Sequence, residues 1–309
     1  MQAGESIKEN FSKLEFDTEH ALVMHATSLC TFPVEAMYDN NLMSQYKSII
    51  RDCHIYIIGF LPILDLRGVC EENGEAVFDF TTIDRSFFVR EPIPEGMSLK
   101  IEGGGYYLQA SNGTKYTFNR DHLYREASVG LDADSMMVMY VGQAYGTKGS
   151  RSALDRLRKH ETLQKIAIKQ APPGKKLTAL LLAVKPSTKL VTMINPHAKN
   201  RDDSGARIKS GLDKLRTTTE LERITLYEAS LIRHFAPEYN TEYKNSFPST
   251  NMKVLNDCYE KDINAIVAEI NFDAMPFKLM SKSVTPALTF MIKHDLHKSE
   301  SRKVFFGIG

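Results

Sequence analysis

Glu228 sits inside an apolar stripe. Ile224, Leu231, Ile232 and Phe235 stand at spacings of −4, +3, +4 and +7 from it, which puts all of them on its side of a helix. A carboxylate on such a face is costly to bury while charged, so it is protonated, paired with an arginine, or bound to a cation. Arg223 and Arg233 are the local arginines that could pair with it at the edge of the stripe. Arg156 and His160 are four residues apart in a stretch expected to be helical. They would share a face beside Lys159, either as a grip for phosphate or as a solvated basic side. Tyr124 and Tyr140 are expected in the two strands of a hairpin folded near Asp132. Two phenols would then flank one spot, as a chemical pair or as ordinary cross-strand packing.

The elements that must hold these residues follow from pattern. Residues 20–118 read as short strands with turn signals, and Asn112-Gly113 between Tyr107-Leu108 and Tyr116-Phe118 predicts a tight hairpin. A strand is expected at His122 to Val129, and the unbroken apolar run Met136 to Val141 makes a second. A helix over about 152–170 would be stopped by Pro172-Pro173-Gly174. Leu177 to Val184 is apolar on both alternating faces, as in a covered central strand. One long helix is expected from Ser210 to Phe235, ended by Pro237. The order β-β-α-β-α describes a small α/β (α+β) layer over 119–245. It would be flanked by an acidic β-rich accessory domain at 1–118 and a β-rich C-terminal region at 246–309. SFPSTN reads as the linker to that last region, whose strands could pack with the first.

With 42% hydrophobic and 25% charged residues among 309, the chain has the composition of an ordinary globular protein, which excludes disorder, collagen and coiled coil. Ile55 to Leu64, the longest apolar stretch of the N-terminal half, contains Gly59 and Pro62 and falls well short of the ~20 residues of a spanning helix. It reads as a core strand. Early acids and no apolar leader segment give the expectation of a cytoplasmic protein without membrane partners. Cys30, Cys53, Cys70 and Cys258 are scattered without zinc-ligand spacing, so they are expected as reduced thiols.

The formal charge of +1 averages two opposite parts. Residues 1–100 hold 8 Lys and Arg against 16 Asp and Glu, whereas Lys148 to Lys176 carry nine bases against Asp155 and Glu161. From Lys185 to Arg216 eight bases stand against three acids. A field of that size suits a polyanion, and the middle third is the nucleic-acid candidate. Lys148, Arg151, Arg158, Lys159, Lys165, Lys175, Lys176 and Arg207 are the expected contacts. The acidic N-terminal region would instead meet a partner protein or cover the basic site.

Three segments together resemble the GIY-YIG nucleases. Val138-Met139-Tyr140-Val141-Gly142-Gln143-Ala144 resembles the second tyrosine motif, and Arg156-Leu157-Arg158-Lys159-His160 resembles the R-x-x-x-H helix. Leu226 to Asn240, LYEASLIRHFAPEYN, resembles the helix that supplies the metal-binding glutamate and the following P-x-Y-N turn. The first tyrosine motif is degenerate, with His122-Leu123-Tyr124 in place of Gly-Ile-Tyr. Gln143 stands where lysine is frequent. The resemblance covers about 120–245 and implies a hydrolase, an endonuclease cutting DNA in preference to RNA, with restriction or anti-phage defence among its roles. It implies Tyr124, Tyr140, Arg156, His160, Glu228 and Asn240 as catalytic residues, with Tyr124 as first choice of base. Glu228 would hold magnesium or manganese, and Asn240 would brace that helix or touch the metal shell. Double-strand cutting with one site per chain would suit a homo-oligomer. The rival expectation is a noncatalytic nucleic-acid-binding or ligand-sensing module on the same scaffold.

Overall fold

A computed structural model describes residues 11–145, 153–169, 171–184, 188–271, 275 and 277–303. In chain order its strands are β1 (Thr18–Pro33), β2 (Ile55–Pro62), β3 (Asp65–Glu72), β4 (Glu75–Thr81), β5 (Ser86–Pro92), β6 (Met97–Glu102), β7 (Gly105–Ala110), β8 (Lys115–Tyr116), β9 (Ser135–Gln143), β10 (Lys175–Val184), β11 (Lys189–Ile194), β12 (Ala265–Ile270), β13 (Lys278–Met280) and β14 (Phe290–Asp295). The helices are α1 (Asn40–Gln45), α2 (Lys47–Asp52), α3 (Arg120–Gly130), α4 (Ala153–Leu157), α5 (Glu161–Ile168), α6 (Ala206–Thr217), α7 (Glu220–Phe235) and α8 (Asn256–Glu260).

The fold is mixed α/β. Its main sheet runs β13-β9-β2-β10-β1-β12-β14, with β11 beside the first half of β1. The β1–β12 and β13–β9 pairs are parallel and the others antiparallel. Because strand residues alternate between faces, the sheet builds two cores. On one face Ile55, Ile57, Val141, Leu180 and Leu182 pack with α7. On the other Tyr56, Ile58, Ala179 and Leu181 pack with α4, α5 and the 3-10 turn Val34–Tyr38. Leu177 to Val184 is a central strand as expected.

The sheet takes strands from all three expected segments. β1 and β2 come from 1–118, and β12 to β14 from 246–309, so the division at 118 and 245 does not separate sheets. A β-β-α-β-α layer confined to 119–245 is not what the strands form. Phe247, expected in a linker, is buried in the main core at 2% exposure. What does stand apart is the excursion between β2 and β9. Two three-stranded sheets, β3-β4-β5 and β6-β7-β8, close with α3 around Phe78, Phe80 and Leu123. The β3–β4 turn is Asn73-Gly74, both at positive φ (51° and 79°), the geometry of a two-residue type I′ connection. The expected Asn112-Gly113 turn joins β7 and β8, but of its two residues only Gly113 has positive φ.

Three expectations about individual elements are corrected. His122–Val129 is not a strand: Asn119 accepts from the His122 N–H at 3.1 Å and starts α3. The helix expected over 152–170 breaks, because the His160 Nδ1 accepts from the Thr162 N–H at 3.2 Å and caps α5. The long helix at 210–235 breaks at the Thr217-Thr218-Thr219 run. The Thr218 hydroxyl returns to the Lys214 carbonyl at 2.7 Å, and Thr219 caps α7 through the Glu222 N–H. Among the described residues no helix is long and apolar enough to cross a membrane.

Candidate functional site

The register of β2 on β9 sets the site. Tyr56 lies opposite Gly142 and Ile58 opposite Tyr140, so the Tyr56 and Tyr140 rings come to 6.1 Å between centroids. A Cβ on Gly142 would fall 2.5 Å from both Cζ and the hydroxyl of Tyr56. The missing side chain is what lets the phenol cross its neighbouring strand.

Tyr124 is elsewhere. It belongs to α3, with its ring edge-on to Phe80 at 5.0 Å in the core of the excursion. The partner of Tyr140 is therefore Tyr56, in His54-Ile55-Tyr56. That stretch reads in sequence only as part of a core strand, because a whole folded excursion separates the two tyrosines along the chain. An aromatic inside an apolar run just after His54 was the available signal.

His160 closes the corner. Its Nε2 is 3.4 Å from the Tyr140 hydroxyl, and its ring is 5.7 Å edge-on from Tyr56. Since Nδ1 accepts from Thr162, the neutral ring carries its proton on Nε2 and donates it to Tyr140. Burial, then the charge of Arg156, holds the imidazole below its ordinary pKa and keeps it neutral. Arg156 lies in the last turn of α4, and its charge acts on the Tyr56 phenol, lowering its pKa against the effect of burial. His160 lies beyond that helix, so the two residues meet through a helix-to-helix corner and not as neighbours on one helical face. His160 thus donates to Tyr140, and Arg156 favours the ionised form of the Tyr56 phenol as Tyr56 in turn favours that of Tyr140. Burial raises both phenols above their ordinary pKa, and the Glu228 charge adds to it. Tyr56 is 1% exposed, whereas Tyr140 is partly exposed.

Glu228 reaches the site around the edge of β9. β13 covers only Ser135 to Met137 of that edge, and the chain after α7 takes the rest. The Tyr239 N–H donates to the Met139 carbonyl at 3.1 Å. The Asn240 side chain then accepts from the Val141 N–H at 2.9 Å and donates to the Val141 carbonyl at 2.8 Å. The main-chain and side-chain amides of Gln143 lie near enough to the Glu228 carboxylate to oppose the rise of its pKa. Two successive outward positions of one strand are thus met by a backbone group and an amide, and Glu228 lies by the third. Asn240 braces the strand, and it does so from the end of α7.

Glu228 is 8% exposed. Burial first, and the neighbouring Glu242 second, push its carboxyl up to about 8; the Gln143 amides and, more weakly, Arg156 oppose this. Neither local arginine answers it: Arg223 donates to the Thr218 carbonyl and Arg233 to the Lys244 carbonyl. The buried Gln143 Oε1 has no hydrogen-bond partner. A buried acid short of positive charge beside an orphaned carbonyl oxygen fits a hard divalent cation. Among the described residues no three His, Cys, Asp or Glu converge as a fuller ligand set. The cysteines are free; Cys30, Cys53 and Cys258 are buried and Cys70 is exposed.

The expected nucleic-acid contacts divide. Lys159 and Lys165 are exposed beside the corner, and Lys175 and Lys176 are partly exposed at the start of β10. Arg158 is held by the Met37 carbonyl. Arg207 is internal: it pairs with Glu19 and Asp262 and lies over the Phe16 ring at 4.0 Å. Its charge is consumed within the fold, which removes it from the expected contact set. Lys148 and Arg151 lie outside the described residues. Comparison of the chain with known protein families, with curated proteins and with solved structures finds no match.

Proposed function

We propose that the chain is a metal-dependent phosphodiester hydrolase, an endonuclease acting on DNA, with Tyr140 as general base. The observation that carries this reading is the convergence of Tyr56, Tyr140, Arg156 and His160 on the strand whose edge holds the buried Glu228. Glu228 and the Gln143 side-chain oxygen would hold a divalent ion, which would supply positive charge to the scissile phosphate and offset the acid that raises the Tyr140 pKa. Arg156, exposed beside the Tyr56 phenol, binds phosphate oxygens with its planar fork. His160 donates to the Tyr140 oxygen, and the neighbouring Tyr56 phenol acts in the same direction, toward the phenolate. Tyr140 is partly exposed and Tyr56 is not, so the Tyr140 phenolate takes the proton as the water oxygen bonds to phosphorus, and the bond to the leaving sugar oxygen breaks as that oxygen takes a proton from solvent. Tyr56 is the positioning phenol. This reverses the order expected from sequence.

The second reading, a noncatalytic nucleic-acid-binding module, is favoured by the raised phenols, since neither ionises at neutral pH without added positive charge. A panel of supercoiled plasmid, linear duplex, single-stranded DNA and RNA separates the two. Nicking with Mg²⁺ or Mn²⁺, abolished by EDTA and by Glu228→Gln or Arg156→Ala with DNA binding retained, is the expected result. Binding without cleavage under any metal leaves the noncatalytic module.

A further inference from the structure

Between the 3-10 turn Val34–Tyr38 and α5 lies a recess of about 410 Å³, within the range of about 300–1,000 Å³ typical of small-molecule sites. Its walls are apolar, built by Met37, Phe60, Leu163 and Leu177. Its rim is not. Arg158 and Lys176, distant in sequence, both line it, with Glu35 and Gln164 as further polar groups. Arg158 donates from Nε and Nη2 to the Met37 carbonyl at 3.1 and 2.6 Å, which fixes the plane of its guanidinium while using two of its five donors. Tyr38 at the mouth is 64% exposed, an unexplained cost for an aromatic on a closed surface but a stacking platform on an open one.

Two features tie the recess to the proposed active site. Leu157 and Arg158 on its wall follow Arg156 directly, and Leu163 and Gln164 lie one turn after His160. A strand with one phosphate at Arg156 and the next against Arg158 and Lys176 carries its base over the apolar opening. We propose that the recess is a subsite for one unpaired nucleobase flanking the cut phosphate. It rests on the hydrolase reading for the strand's path, and it extends that reading to a substrate class: nucleic acid with an unpaired nucleotide. A fully stacked base pair cannot place a base there, whereas a bulged or single-stranded base can. The Glu35 carboxylate accepts from a base amino group, and the Gln164 amide donates or accepts at the base edge; the two cations answer the flanking phosphates.

The test measures binding apart from cleavage. The Glu228→Gln protein in EDTA is titrated with three labelled duplexes: fully paired, with one extra unpaired adenine, and with an abasic residue in place of that adenine. The unpaired adenine should bind about tenfold tighter than both others. Ala167→Phe, at an exposed position lining the recess, should erase that preference with unfolding unchanged. Lys176→Ala should weaken all three alike and lower the salt slope by about one. With 2-aminopurine as the unpaired base, fluorescence of the DNA should change on binding the otherwise unaltered chain and not with Ala167→Phe. Equal affinity for the three duplexes, or a preference that survives Ala167→Phe, overturns the subsite. Base preference without cleavage in the native chain sinks only the hydrolase reading; cleavage without base preference sinks only this one.

Discussion

Asn240→Ala removes two hydrogen bonds at once. Both end on the main chain of Val141, at 2.9 and 2.8 Å, and Asn240 and Val141 are both buried. Among the described residues no strand lies on that side to take over, because β13 stops at its pairing with Met137. Each buried group left unpaired costs about 1–3 kcal/mol, so the pair costs about 2–4 kcal/mol once partial relaxation is counted. At roughly 2.1 cal/mol/K per residue, unfolding 309 residues carries about 0.65 kcal/mol/K. The expected fall in Tm is therefore about 3–6 °C. Asn240→Asp decides between bracing and metal ligation. The aspartate keeps the acceptor for the Val141 N–H but turns an anionic oxygen toward the Val141 carbonyl, with no proton between them. Bracing predicts a loss at least as large as that of Asn240→Ala at pH 7, recovering in acid. Thermal and urea unfolding of the two variants, with Mn²⁺ binding alongside, is the assay. An Asn240→Asp protein that unfolds at the native temperature and binds Mn²⁺ more tightly would refute the bracing role.

The remaining expectations concern neighbouring features. Gly142→Ala drives a methyl into the Tyr56 phenol, which at 1% exposure has nowhere to go; a loss of about 1–3 kcal/mol in urea unfolding is expected, and native stability would contradict the crossing of phenol and strand. Arg207→Ala should destabilise the fold because it leaves the fully buried Glu19 with fewer partners, while the salt slope of DNA binding stays put; a slope reduced by one would return Arg207 to the nucleic-acid surface. His294 sets an acid limit. Burial lowers its pKa to about 4 from 6.5, so between those values the unfolded chain binds a proton that the folded chain refuses. Stability present above pH 6.5 is lost as pH falls toward 4, by up to about 3 kcal/mol. Urea midpoints at pH 7 and 5 should converge in His294→Gln, and an unaltered pH slope there would show that other groups carry it.

Periodicity found what local pattern can find. The stripe around Glu228 is buried as its spacing required, and Leu177 to Val184 is covered on both faces. Breaks set by side-chain caps were harder. The capping roles of Asn119, His160 and Thr219 rest on single hydrogen bonds to a nearby N–H, which apolar spacing does not encode. The pairing of Tyr56 with Tyr140 was hidden for a different reason. Strand neighbours in sequence are the usual neighbours in space, and here β3 to β8 and α3 intervene between two adjacent strands. Arg207 was misplaced because charge counted along the chain does not distinguish a surface cation from one held by Glu19 and Asp262.

The central claim is tested most directly by single-turnover nicking of plasmid in Mg²⁺ by three phenylalanine variants, each checked for native unfolding. Tyr140→Phe should lose cleavage by a hundredfold or more, in keeping with a general base worth about 10²–10⁴. Tyr56→Phe should be impaired less, and Tyr124→Phe should cut like the native chain. Full activity in Tyr140→Phe, or loss confined to Tyr124→Phe, would contradict the site assembled on β2 and β9.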